Sequence, residues 1–582
     1  MKSIKSKNIR NLVITISILI VINILSAFYF KRIDMTAEKR YTLTNYTKEK
    51  LKNLDGKVFV TIYLESEDLP FDFKKFRAAI KEELDIFKIY AGKNIEYKFV
   101  NPTDEKKTDQ WRKDLYNDLY KLGIVPVEKV ETTEGKQTNT LIFPAAVISY
   151  SVYDKKNDSL ITRRVGVNLL NNDPHFDQSS PENINSSEQT LEYKLINEIT
   201  KLSKLNKPKI AFLQGQGEID QAHIIQIERA LSEYYDVIPV SIDGTYGILD
   251  DFEAVVIAKP TKPFKEVDKF VLDQYLMKGG KMVWLVDGVN VSMDSIYYFG
   301  RSFAMPALPT QLKIDDQLFT YGVRINTDIL QDLYCSTILL KGVSSTGEAR
   351  NHHYKWYYFP LLVTQNTHVI NKYLDYVRTE FVSSIDFVGK NPDVKKTVLL
   401  ATSNATRKIQ INVPTQIDFK EINQPVDQRM FTQKSLPVAV LLEGSFPSLW
   451  QGRITNKMLP HGIKFISKSV PTKIIVVSDG DLISNVVNSE GEVYPVDFDK
   501  YSLSNFRGNK QFMINAMNYL CDDGGLMQVR SREFKLRILD KKVVNKSKTL
   551  WQFINVALPI IVIIIFGLIF VWLRNRKYSK KI

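Results

Sequence analysis

The residues able to carry chemistry gather in a few short runs. In FLQGQGEID, Gly215 and Gly217 follow an apolar run and precede Glu218, an arrangement that lets backbone N–H groups at a strand end approach a phosphate. The run is not a G-x-G-x-x-G fingerprint, so a tight strand-to-helix connection is the simpler reading. In SDGDLI, Asp479 and Asp481 also stand after an apolar run, where carboxylates in other folds hold a metal. Asp-Gly-Asp is equally ordinary turn chemistry, and that reading takes precedence. GVSSTGEAR, Gly342 to Arg350, has the glycine spacing of a nucleotide-binding loop, but Glu348 and Ala349 occupy the positions that need Lys and Ser or Thr. Nucleotide hydrolysis is therefore not expected there. His352-His353, followed by Tyr354, Trp356, Tyr357 and Tyr358, could form a binding surface, but six histidines with no partner spacing give no metal site. Cys335 and Cys521 show no metal or redox spacing either. There is no G-x-S-x-G elbow, no H-E-x-x-H and no local Cys/His pair. The binding candidates are thus Gly215, Gly217, Glu218, Asp479 and Asp481; no catalytic residue, metal or cofactor is assigned. Triads assemble across distant positions, so a hydrolase or amidase stays open as an alternative.

These runs need a scaffold. KIAFLQ, YDVIPVSI, AVVIAKP, GKMVWLVD, KTVLLATS, PVAVLLEG and TKIIVVSDG are continuous apolar runs, the pattern of strands buried on both faces. Helical periodicity lies between several of them, at Ala222 to Tyr235 and Glu266 to Met277. This predicts a doubly wound, mostly parallel α/β domain over 208–530, with an insertion of its own β content at about 291–390. Ahead of it, 45–205 reads as a smaller α/β domain. Thr44 or Asn45 caps a short helix, KVFVTIYLE alternates as a strand, Phe73 to Tyr90 repeats at a helical period, and IEYKFV completes a β-α-β unit. Strands follow at TNTLIFPAAVISYSVYD and TRRVGVNLL, then a polar loop from Asn171 to Ser187 and a closing helix with Ser187 as its cap.

The ends differ from the middle. Leu12 to Phe30 and Phe553 to Leu573 are uncharged apolar runs of about the length needed to cross ~30 Å of hydrocarbon, with aromatic residues at their edges. Length and the poor cleavage context at Leu25-Ser26-Ala27 favour an uncleaved anchor over a signal peptide for the first. The chain carries +14, but the tails 1–11 and 574–582 hold nine bases and no acid, and 31–50 and 530–550 are also basic. The stretch 51–529 is left mildly acidic. A nucleic-acid binder would carry its basic patch on the folded body, so the charge points to a bilayer instead. Two spans put both tails on one side; long segments translocate largely regardless of charge, which favours cytoplasmic termini and a periplasmic body at the inner membrane.

The order of anchor, RIDMTAEKRYTLT, YLESEDLPFDFKKFRAAIKEELDIF, KPKIAFLQGQGEID, the block from Lys259 to Asp287, VAVLLEGSFPSLW, IIVVSDGDLI, SREFKLRILDKK and a final anchor resembles the gliding-motility-associated ABC transporter auxiliary protein, its G component, of Bacteroidetes. The resemblance runs nearly end to end. It implies a membrane-anchored accessory subunit, often described as substrate-binding, that works with an ABC permease and a separate ATPase and meets cargo or envelope proteins. It also implies an α/β core like a class I glutamine amidotransferase without its catalytic residues. Family members often read G-H-G-E where this chain has Gly215-Gln216-Gly217-Glu218, and loss of that histidine argues against a catalytic or metal role there. A structural envelope anchor of motility machinery is a further alternative.

Overall fold

The computed structural model describes residues 2–28, 34, 42–66, 68–133, 136–154, 158–171, 177–204, 207–294, 296, 305–343, 349–362, 368–372, 374–389, 391–417, 419, 422, 426–454, 464–522, 525–531 and 547–578. The polar run 172–176, most of the basic stretch 530–550 and the SREFKLRILDKK block lie outside them. The chain forms two compact units, Met1–Arg40 with Glu533–Ile582, and Tyr41–Arg532.

In the first unit, α1 (Lys2–Phe28) is one helix whose apolar part is Ile9–Ile24. At the other terminus, Lys548–Arg576 is continuously helical and is the one helix among the described residues long and apolar enough to cross a membrane. It opens as a π turn over Phe553–Ala557 before Leu558–Tyr578. Pro559 explains the turn: it has no N–H to donate, and its ring presses on the carbonyl one turn back, so the helix widens ahead of it. Asn555 Nδ2 donates to the Trp551 carbonyl at 2.8 Å, so this polar residue is satisfied within its own helix.

The large unit begins with α2 (Asn45–Lys52), whose cap is Thr44: its Oγ1 accepts from Thr47 N at 3.3 Å. Strand β1 (Lys57–Ile62), α3 (Phe71–Ala91) and β2 (Ile95–Phe99) form the β-α-β unit, β1 and β2 parallel with Val58 opposite Ile95. After α4 (Asp109–Lys121) and the hairpin β3 (Val127–Thr133) and β4 (Lys136–Ile142), strands β5 (Ala145–Asp154) and β6 (Ser159–Asn168) complete a sheet of order β2-β1-β5-β6. One face of α3, with Phe73, Phe76, Ile80, Leu84 and Phe87, is fully buried together with Val60 and Ile62 of β1. Burying such side chains is worth about 1.5 to 3 kcal/mol each.

Helix α5 spans Pro181–Ser203 and starts before the expected point. Its cap is Ser180, which accepts from Asn183 N at 3.2 Å, and Pro181 stands at the first helical position, where its missing N–H costs nothing. Ser187 lies inside the helix, where its hydroxyl donates to the Asn183 carbonyl at 2.7 Å.

Then comes a seven-stranded sheet. Its elements are β7 (Lys209–Gln214), α6 (Gln221–Ser232), β8 (Asp236–Ser241), β9 (Ala254–Ala258), α7 (Glu266–Met277) and β10 (Lys281–Leu285), then the strands Val394–Ala401, Pro437–Gly444 and Thr472–Val477. The order from the outer edge is Val394–Ala401, Pro437–Gly444, Thr472–Val477, β10, β9, β7, β8. The last five are mutually parallel, while Pro437–Gly444 runs against both of its neighbours. Alternate side chains feed two cores: Phe212, Val256 and Leu285 pack with α6 and the helix Gly508–Leu520, and Leu213, Ile257 and Trp284 pack with α7 and the helix Asp315–Tyr321. The region after β10 adds smaller sheets, including the hairpin Cys335–Val343 with Ala349–Leu362. The glycine-spaced run from Gly342 falls in this hairpin, with Gly342 opposite Arg350. A phosphate loop needs a strand-to-helix turn, which this is not. His353 lies on the same hairpin with Nδ1 3.2 Å from Thr337 Oγ1.

Asp273 on α7 ties the second core together. It is fully buried and accepts from Ser448 Oγ at 2.7 Å, Leu449 N at 3.0 Å and Tyr321 OH at 3.0 Å. Burial pushes its carboxyl upward against these bonds. Asp273→Ala strands three buried donors, and urea unfolding of the full chain is expected to show a loss of about 3 kcal/mol; a loss below about 1 kcal/mol would contradict this role.

Candidate functional site

Ligands of open parallel sheets bind beyond the carboxyl ends of the strands. A cavity of about 370 Å³ lies there, and Gly217, Glu218, Lys259, Arg378, Glu380 and Asp481 are among its lining residues. They arrive from several elements. Gly217 and Glu218 follow β7, Lys259 follows β9, Asp287 follows β10, and Asp479 and Asp481 follow Thr472–Val477; Arg378 and Glu380 come from the inserted region.

The β7 loop is closed on itself. Gly217 has φ +73°, and a Cβ there would meet Thr261 Oγ1 at 2.3 Å, so only glycine fits. Thr261 N and Lys262 N donate to the Gln216 carbonyl at 3.0 and 2.8 Å. Gln216 N donates to Glu218 Oε2 at 2.8 Å. The loop amide that a phosphate would seek already holds the chain's own carboxylate. Burial raises the Glu218 carboxyl, and the loop amides oppose that. Gly215, at φ +120°, shapes the turn and does not line the cavity.

At the centre, one oxygen from each of Asp287, Asp479 and Asp481 lies within 4.8 Å of the others. Such a set could hold a cation, and Lys259 supplies one from within the chain. Its ammonium pairs closely with Asp481 and is 3.7 Å from Asp287 Oδ2. Lys259 adopts φ +51°, a strained region for a non-glycine residue, with its N–H donating to the Leu285 carbonyl at 2.8 Å. Gly480 permits the approach: a Cβ there would meet Lys259 Cγ at 2.6 Å. Asp479 is fully buried beneath, accepting from Glu380 N at 2.9 Å and Asp481 N at 2.8 Å, and Gly480 N donates to Asp287 Oδ1 at 2.5 Å. On the far wall Arg378 pairs with Glu380 at 2.8 Å and Asp499 at 3.1 Å, its guanidinium 4.6 Å from the Phe359 ring centroid.

The electrostatics follow from burial among like charges. Desolvation raises Asp479 well above the usual carboxylate range, with the charges of Asp481 and Asp287 adding to it. Desolvation likewise pushes Asp287 up to about 6, against the pull of Lys259. Burial disfavours the Lys259 ammonium, but Asp481 and Asp287 outweigh it and hold its pKa above the ordinary lysine value.

The structure therefore brings Gly217, Glu218 and Asp481 to one cavity, sets Asp479 in its floor and leaves Gly215 in the turn behind it. It adds Lys259, Asp287, Arg378 and Glu380, which the sequence reading passed over. The signal for Asp287 was present, since WLVDG repeats the apolar-run-then-Asp-Gly context of VVSDG. His223 pairs with Asp220 at 2.8 Å at the start of α6, but among the described residues no hydroxyl or thiol lining the cavity is hydrogen-bonded to it.

An α/β sheet with a polar cleft at its strand ends, in a chain with an apolar terminal helix, defines the class of this protein. Residues 207–516, a little over half the chain and including every cleft residue named above, match the family described as ABC-type uncharacterized transport system; the chain belongs to that family and is an ABC transport auxiliary protein. Residues 37–149 match a domain of unknown function. A curated relative from Borreliella burgdorferi, named only as an uncharacterized protein, is 19% identical over 588 residues, covering 98% of this chain and 99% of its own. Among solved structures, the mmIFT52 N-terminal domain is 13% identical over 54% of this chain and 96% of its own, with a TM-score of 0.30. The exo-beta-1,4-mannosidase Op5Man5 from Opitutaceae bacterium strain TAV5 is 9% identical over 51% and 35%, with a TM-score of 0.19. Neither likeness is close enough to carry an argument.

Because the folded Asp287 carboxyl titrates near 6, the folded state holds its proton more tightly than the unfolded chain does between about pH 4 and that value. Its contribution to stability is present at low pH and is lost as pH rises through about 6. Asp287→Asn keeps an oxygen for Gly480 N, and urea midpoints are expected to lose about 2 kcal/mol of that fall relative to the parent chain. An unchanged profile would contradict the assignment.

Proposed function

We propose that the chain is a non-catalytic, membrane-anchored accessory subunit of an ABC transporter linked to gliding motility, with a substrate-engaging body that works beside a permease and a separate ATPase. The observation that carries this reading is the family match over residues 207–516 in a chain that also has the apolar helix Lys548–Arg576. In the proposal α1 is a second span, both termini are cytoplasmic and the body is periplasmic, where it meets cargo or envelope proteins. The state of the cleft supports a binding rather than a catalytic role. Lys259 is engaged by Asp481, Arg378 by Glu380 and Asp499, and the loop amide by Glu218, so the charged groups and the donor that a reaction would use are already paired. A hydrolase or amidase would need a nucleophile on a base, and the Asp220–His223 pair has no such partner among the described residues.

Affinity purification of the tagged full chain from detergent-solubilised membranes is expected to bring down a polytopic permease and an ATPase in constant ratio. Protein that is always recovered alone would overturn the proposal. Protease added to intact spheroplasts is expected to digest the body, whereas full protection would reverse the topology.

A further inference from the structure

A second cavity, of about 270 Å³, lies between α5 and the helix Gly508–Leu520. Its lining holds three basic side chains, Lys194, Arg507 and Arg530, and two acidic ones, Glu198 and Asp375. Arg530 is only 7% exposed; its Nη2 donates to the Lys372 carbonyl at 2.6 Å, and its guanidinium stands 5.4 Å from the Tyr193 ring centroid. Its Nη1 is buried and has no hydrogen-bond partner among the described residues. A buried N–H of a charged group left unsatisfied is destabilising, so the fold holds this donor at a cost. Lys194 is fixed beside it by the carbonyls of Leu169 at 2.8 Å, Leu170 at 2.6 Å and Asn168 at 3.2 Å. Burial, with Arg530 adding, pushes its pKa down to about 7. Arg507 stands exposed at the rim.

The carboxylates lining the cavity are engaged elsewhere. Glu198 binds Lys201 at 2.9 Å and Asn197 Nδ2 at 2.8 Å, and Asp375 Oδ1 accepts from Tyr376 N at 2.7 Å. Among the described residues no carboxylate or carbonyl accepts from Arg530 Nη1, and the side-chain group beside its guanidinium is the Tyr193 hydroxyl.

We propose that this cavity binds a small oxyanion, a carboxylate or phosphate group, whose oxygen accepts from Arg530 Nη1 and whose charge is balanced by Lys194 and Arg507. A charge-assisted bond to a desolvated guanidinium is the strong kind, and a cavity of this size admits a small molecule carrying such a group. The site sits between the helix that closes the first sheet and one that covers the second, a position in which a bound anion would brace the two sheets against each other.

The test is calorimetric titration of the full chain in detergent at low ionic strength with inorganic phosphate, with acetate, and with chloride as the control. One saturable site per chain is expected for phosphate or acetate, and whichever saturates names the group. Arg530→Lys is expected to weaken binding by at least about tenfold, and Arg507→Gln, at an exposed position that leaves the fold intact, to weaken it measurably. If neither oxyanion binds beyond chloride, or if binding is the same in both variants as in the parent, the proposal is overturned.

Discussion

Carboxylates gathered where parallel strands end must be neutralised, and the cleft of this protein is organised around that constraint. Asp287, Asp479 and Asp481 follow the ends of two adjacent strands, β10 and Thr472–Val477, so the sheet register itself forces them together. In a poorly solvated pocket their repulsion would open the sheet end. Lys259, delivered by the next strand over, enters the cluster at the expense of a strained backbone and a neighbouring glycine that leaves it room. Strain of this kind persists only where surrounding contacts over-determine it.

The same device recurs. The β7 loop has the form of an anion cradle, and Glu218 is its anion. Arg378, from the inserted region, is matched by Glu380 and Asp499. A cleft whose charges are paired internally is stiff and chemically quiet, which suits an auxiliary subunit that holds or presents a partner while another subunit spends nucleotide. Arg530 breaks the pattern: Arg378 also has buried N–H groups without hydrogen bonds but is ion-paired with Glu380 and Asp499, whereas Arg530 has no carboxylate partner among the described residues. That exception is why the second cavity, rather than the first, carries the inference of an external anion.

Much of this was legible in the sequence because it depends on local pattern. Continuous apolar runs marked every strand of the large sheet, and α7 has the expected bounds because Glu266 and Gly279-Gly280 punctuate it. The direction of Pro437–Gly444 was not legible, since a run buried on both faces reads the same in either orientation. The start of α5 was missed because Ser187 and Ser180 both look like caps; Pro181 was the discriminating residue. Asp479 and Asp481 were visible as a turn, but Lys259 and Arg378 were not, because their roles exist only once strands distant in sequence become neighbours.

The central claim is that Lys259 is the resident cation of the strand-end cluster. A double-mutant cycle with Lys259→Met and Asp481→Asn, read by chemical unfolding of the full chain at neutral pH, tests it most directly. Either change alone is expected to be costly and the pair less costly than their sum, with a coupling of at least about 2 kcal/mol. Strict additivity of the two changes would contradict it.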